Sequence, residues 1–121
     1  MAAGLAFWIA AEAATPPTPP PGRTLLQTTT DVQRIELGDV RLVKDVAGGR
    51  HTHDGIETGV VIEGSFALEI DGQASLVLTE GQSFLVPRGV VHRARGLGPN
   101  GARLICTWVV DSAAPTARPV S

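Results

Sequence analysis

The chain has 121 residues, 43% of them hydrophobic, which is enough for one ordinary core and too few for two comfortable domains. Ten basic and twelve acidic residues give a formal charge of −2 with no long run of either sign, so no nucleic-acid partner is expected. Tyr is absent and there are only two Trp and three Phe, so a stacking platform for bases or long glycans is poorly supplied.

In chain order, Ala2 to Ala11 is apolar and Ala-rich, and Ala11-Glu12-Ala13 resembles a signal-peptidase site. No Lys or Arg precedes this run, and about ten apolar residues are too few to span a bilayer. Residues 1–14 are thus open between a cleaved signal peptide and a short tail or mis-assigned start. A stable membrane anchor is not expected, and both a periplasmic or secreted and a cytoplasmic location stay open. Thr15 to Gly22 holds five prolines in eight residues, so residues 15–23 form an extended polyproline spacer and the domain boundary.

From residue 24 to 111 short apolar runs are broken by Gly, Pro and Asp with no helical period, which defines an all-β domain. The expected strands are Val32 to Leu37, Val40 to Val46, Thr58 to Glu63, Phe66 to Ile70, Ala74 to Leu78, Ser83 to Val86, His92 to Arg95 and Arg103 to Val110. Asp71-Gly72 suits a tight hairpin with both central residues at positive φ. Many short strands at this spacing indicate a sandwich or a jelly-roll barrel. Residues 112–121, with Pro115 and Pro119, form a loose C-terminal tail. Cys106 lacks a disulfide partner and lies in an apolar run, as a buried, inert thiol does.

The three histidines of the chain are His51, His53 and His92. On a strand, His51 and His53 share a face and can present two imidazole nitrogens to one ion. Asp54-Gly55 signals a bend, after which Glu57 returns from the start of the next strand. His92 has to come from another strand. Three imidazoles and a carboxylate suit a divalent transition metal, Fe or Mn first, with Ni, Cu or Zn as alternatives, and suit Ca or Mg poorly. An octahedral ion so held keeps two positions for water, dioxygen or substrate. Arg88, Arg93 and Arg95 near His92, and Glu63 and Glu69, are expected as surface charges, while Val61, Ile62, Phe84, Val86 and Trp108 are expected to pack in the core or line the pocket.

The two clusters resemble the paired motifs of the cupins. His51-Thr52-His53, three further residues, Glu57, six residues and Gly64 resemble the first motif, and Gly81, Pro87, Gly89 and His92 at their observed spacing match the second throughout. One departure is that the leading glycine of the first motif falls on Asp45. The resemblance, to small single-domain cupins of the quercetin-dioxygenase-like kind, covers Arg41 to about Val110. It implies a double-stranded β-helix, or jelly-roll, barrel with His51, His53, Glu57 and His92 as the metal ligands, and a homodimer, for which the strand at Val32 to Leu37 could be exchanged between protomers. It further implies a metal-dependent, dioxygenase-like oxidoreductase acting on a small oxygenated organic molecule, with Glu57 as general base. The alternatives are a metal-dependent isomerase or lyase and a non-catalytic small-molecule or metal-binding module.

Overall fold

The structure is a computed structural model that describes residues 22–121. The signal-peptide and spacer readings of residues 1–14 and 15–21 fall outside the described residues. No helix occurs among those described, and nine strands form one curled antiparallel sheet: β1 (Gly22–Thr29), β2 (Gln33–Leu42), β3 (His51–Thr52), β4 (Gly55–Ile70), β5 (Leu76–Thr79), β6 (Ser83–Val86), β7 (His92–Gly96), β8 (Ala102–Asp111) and β9 (Arg118–Pro119). The spatial order is β1-β2-β8-β4-β7-β3-β9, with β5 and β6 also pairing with β4. This is the double-stranded β-helix barrel that the motif resemblance implies.

The long strand β4 joins the two halves of the barrel. Its first half pairs with β8 and β6, and its second with β7 and β5. The sequence pattern gives two separate strands here, because Gly64 and the charged Glu63 interrupt the apolar residues. Instead a bulge between Val61 and Glu63 lets one strand bend from one half to the other. Gly64 makes the bend feasible: its φ is 74°, and a Cβ there would lie 2.0 Å from the Gly101 carbonyl oxygen. Ile62, at the bulge, faces outward and is exposed, so it does not join the core. Likewise Val32 to Leu37 and Val40 to Val46 merge into β2, which pairs with β8 in unbroken register from Gln33↔Asp111 to Leu42↔Ala102. The hairpin at Asp71-Gly72 places only Gly72 at positive φ, and the Gln73 amide donates to the Ile70 carbonyl 3.1 Å away.

Strand pleating sorts the side chains. Val40 and Leu42 of β2, Leu104, Cys106, Trp108 and Val110 of β8, and Phe66 and Leu68 of β4 all face inward and are buried. On the outer face, Asp39 is covered by Arg103, which donates two hydrogen bonds of 2.9 Å, and by Arg23 at 3.5 Å. The hydrogen bonds from Arg103 hold the Asp39 carboxyl below its ordinary 3.8, against the opposing effect of burial. Because the folded-state value is the lower one, the stabilisation is present above pH 3.8 and is lost as pH falls through the folded value. Asp39→Asn is therefore expected to cost about 1–2 kcal/mol at neutral pH, with the deficit shrinking in acid, as read from urea melts at the two conditions.

The two ends of the described chain differ from expectation. Gly22 and Arg23, assigned to the spacer, begin β1 and pair with Val40 and Asp39. The C-terminal ten residues are not loose: Ala114 and Thr116 are buried, and β9 pairs with β3 through His51↔Pro119 and Thr52↔Arg118. Pro119 fits there because β9 is an edge strand, where a missing donor is tolerated.

Candidate metal centre

The four motif residues come from three neighbouring places in the barrel. His51 lies in β3 directly opposite His92 of β7. The chain bends at Asp54, so β4 starts at Gly55 and brings Glu57 in as its third residue, opposite Trp108 of β8 and Val86 of β6. A turn at Pro87 to Val90, with Gly89 at a left-handed φ of 76°, aims β7 toward the site, and the Gly89 amide is tied to the His53 carbonyl at 3.1 Å. Asp45, where the motif departs from glycine, itself takes φ 62°, a conformation that Asp tolerates better than most side-chain-bearing residues. The approach to His51 therefore makes the turn that glycine would make.

The imidazole ring centroids are 4.3 to 5.0 Å apart, and all four residues are at most 3% exposed. Glu57 Oε1 lies 3.1 Å from Nε2 of His53 and 3.1 Å from Nε2 of His92. Each histidine uses its other nitrogen as a donor to a backbone carbonyl: His51 Nδ1 to Gly49 O at 2.7 Å, His92 Nδ1 to Val90 O at 2.9 Å and His53 Nδ1 to Thr116 O at 2.5 Å. Anchored so at Nδ1, each ring turns Nε2 toward the cluster, and an ion there would replace the protons through which His53 and His92 hydrogen-bond Glu57.

Fit to a metal can be judged from the donors themselves. One potential ligand atom from each residue lies within 4.8 Å of all the others. Donors held at about 2.0–2.2 Å from a shared ion are at most about 4.4 Å apart, so a small contraction completes the set. Burial alone would raise the Glu57 carboxyl, yet the hydrogen bonds from His53 and His92 outweigh it and bring it to about 2. Burial, then the charge of His92, lowers His51 to about 4. At neutral pH an ionised carboxylate and a neutral imidazole at these positions are the forms a cation requires. The cluster could therefore hold one transition-metal ion.

The other residues singled out by sequence divide. Burial, reinforced by the charge of Glu57, pushes the Cys106 thiol well above its ordinary value, in keeping with an inert thiol. Arg93 and Arg95 do lie on the outer face, but both clamp Glu69, at 2.7 and 2.8 Å, so Glu69 is a partly buried ion-pair partner. Arg88 pairs instead with Asp111. Val61, Val86 and Trp108 belong to the core, with Phe84 packed against it. Thr116, which orients His53, carries no signal in the sequence because it acts through its main-chain carbonyl.

Residues 38–108 match the family described as Cupin domain, and the chain belongs to that family. No curated protein matches it. Among solved structures, a conserved protein with a double-stranded β-helix domain from Klebsiella pneumoniae has a TM-score of 0.63 at 18% identity, covering 90% of this chain and 92% of that one. The DMSP lyase DddQ from Ruegeria pomeroyi scores 0.62 at 16% identity over 82% of this chain and 49% of that one. KdgF from Halomonas sp. scores 0.52 at 21% identity over 84% and 93%. The chain spans about half or less of the DMSP lyase chains it resembles, 44% and 49%. At these identities the likeness shows the shared fold.

Proposed function

We propose that this chain is a metal-dependent enzyme of dioxygenase-like chemistry acting on a small oxygenated organic molecule. The observation that carries this reading is the buried set of three imidazoles and one carboxylate, each histidine anchored through Nδ1 to a carbonyl. His51, His53, His92 and Glu57 would hold one divalent ion, iron or manganese in preference to nickel, copper or zinc. When bound, the ion would supply Lewis acidity, open coordination positions and, if redox-active, a route for electrons to dioxygen. Glu57 is held ionised by its two histidine partners, which leaves it unprotonated but a weak base, so it can take a substrate proton only if substrate or ion draws it away from those partners.

The second reading is lyase or isomerase chemistry, in which Glu57 removes a proton and the ion stays in one oxidation state. The fold likeness to DMSP lyases favours it. A third, a binding module without turnover, is favoured by the depth of burial of all four residues. Oxygen uptake by iron-loaded protein over a panel of diols, diketones and phenols separates the three. Uptake supports the dioxygenase, product formation without uptake the lyase, and calorimetric binding alone the module. Glu57→Gln is expected to lower turnover by at least about 100-fold, and undiminished turnover would remove Glu57 as the base.

A homodimer fits the outer face of the β1-β2-β8-β4-β6 half. The segment from Val32 to Leu37, the candidate for exchange between protomers, lies largely in β2 and is flanked by β1 and β8, so it is not a free edge. The outward residues of that half are instead apolar across several strands: Leu26 and Leu37, Ile35, Val109 and Ile56, then Leu85 beside Thr58. A solvated antiparallel face ordinarily carries polar residues there. At about 3.4 Å per residue and about 4.8 Å between strands, β1, β2, β8, β6 and the first half of β4 present roughly 670 Å², a little under the roughly 800 Å² each partner contributes to a standard interface. Leu26 and Leu85 stay 61% and 55% exposed in the single chain, which a second copy would cover. Light scattering is expected to show a dimer that the double variant Ile56→Lys, Leu85→Lys converts to a monomer; a wild-type monomer at tens of micromolar would contradict this.

A further inference from the structure

The carbonyls that orient the three histidines are not equivalent. Those for His51 and His92 belong to Gly49 and Val90, two residues back along the same segment. The carbonyl for His53 belongs to Thr116, 63 residues away in the C-terminal segment. His53 is thus the one histidine of the cluster whose ring is oriented by a distant part of the chain.

That distant part is fastened by its own buried polar cluster. The Thr116 hydroxyl donates a short hydrogen bond to Glu36 Oε1 on β2 and accepts from Arg34 Nη2 at 3.5 Å. Arg34 also donates to the Ser112 carbonyl at 3.1 Å, and its Nε lies 3.7 Å from Glu36 Oε1, while Gln27 donates to the other Glu36 oxygen at 3.3 Å. Glu36 and Thr116 are both buried, at 3% and 4% exposure. A carboxylate buried on the inner face of β2 is costly unless it has partners, and here its partners are those that hold Thr116 in place. Beyond Thr116 the segment is fixed again, by Arg118 to Asp54 at 2.7 Å and by the Val120 amide to the Arg50 carbonyl at 2.9 Å.

We propose that Thr116 is a positioning residue for His53: its carbonyl fixes the imidazole with Nδ1 protonated and Nε2 turned to the ion, and the Glu36–Thr116 hydroxyl bond holds that carbonyl in place. The inference deepens the metal-site reading and rests on it. In chemical terms the C-terminal segment is an outer shell of the centre, and Glu36 and Arg34 are its latch. Outer-shell partners of metal-bound histidines set the tautomer and ring orientation, and their loss lowers affinity by about 10–100-fold.

The test uses Thr116→Val, which keeps the branched shape and the main chain and removes only the hydroxyl, with Thr116→Ser as the rescue. Chelator competition with Co²⁺ is expected to show affinity lowered about tenfold or more in Thr116→Val and restored in Thr116→Ser, with an altered ligand-field spectrum in the former. Nitrogen-15 NMR of the metal-free full chain is expected to show a hydrogen-bonded Nδ1–H on His53 in wild type, and a weakened or mixed Nδ1 signal, which is the tautomer readout, in Thr116→Val. If Thr116→Val loses thermal stability while both Co²⁺ affinity and the His53 tautomer stay as in wild type, Thr116 is structural only and the proposal is overturned. If wild type binds no Co²⁺, the metal-site reading fails, and the tautomer comparison still decides whether Thr116 positions His53. Should Thr116→Val not fold, Glu36→Gln, which keeps an acceptor but removes the charge, replaces it: weaker Co²⁺ binding with a mixed His53 tautomer supports the proposal, and wild-type values of both overturn it.

Discussion

Replacing His92 with alanine is expected to abolish stoichiometric metal binding while leaving a folded barrel. His92 supplies one of two imidazoles within 3.1 Å of Glu57 Oε1, and it lies directly across from His51. Without it one carboxylate and two imidazoles remain, and an ion must recruit water into a buried space. Loss of an outer-shell partner costs about 10–100-fold in affinity, so loss of a ligand should exceed that, on the order of 1,000-fold. The barrel should survive, because the core of Trp108, Phe66, Leu68 and Leu104 is built by other residues. Arg93→Ala is the matched control: Arg93 is next in sequence but lies on the outer face, clamped to Glu69. Isothermal titration of both variants with Co²⁺ is expected to show no binding for the first and wild-type binding for the second.

Trp108→Ala is expected to have the largest effect on stability. The indole is fully buried, sits opposite Glu57 in the β4–β8 register and has its ring centroid 6.4 Å from that of His53. Truncation removes the transfer free energy of a large side chain and leaves a cavity, together about 3–5 kcal/mol. That is a substantial share of the roughly 5–15 kcal/mol that stabilises an ordinary domain, so unfolding should begin at much lower urea concentration. Because the indole also backs the His53 ring, the variant should bind metal more weakly even where it is still folded. A loss below about 1 kcal/mol in urea melts would show that this side of the core is not packed as described.

The sequence exposes the site better than it exposes the architecture around it. His51 and His53 share a face because strand pleating repeats every second residue, and with only three histidines in the chain His92 is their natural companion. Glu57 is legible chiefly through the motif resemblance, since the bend at Asp54 removes any simple parity argument. The strand boundaries are less legible. A bulge lets the apolar pattern break at Glu63 and Gly64 without ending β4, so one strand looks like two. β1 follows a proline run and is polar along much of its length, and its strand character comes from pairing with β2.

The C-terminal segment is the least legible part. Pro115 and Pro119 among small residues have the composition of a tail, yet Thr116 is buried by contacts with Glu36 and Arg34, some 80 residues earlier. Such contacts leave no local pattern. Glu36 could raise the question, since it interrupts the inward-facing side of β2 with a carboxylate. An acidic residue at an inward position asks for a partner, and the partner proves to be the segment that orients His53.

The central claim is that His51, His53, Glu57 and His92 together hold one divalent transition-metal ion. X-ray absorption on the full chain, loaded with one equivalent of iron or manganese, tests it most directly. The expected spectrum has a first shell of light donors with multiple scattering from three imidazoles, falling to two in His92→Ala if any metal is retained. A spectrum without imidazole scattering, or one unchanged by the His92 substitution, would contradict it.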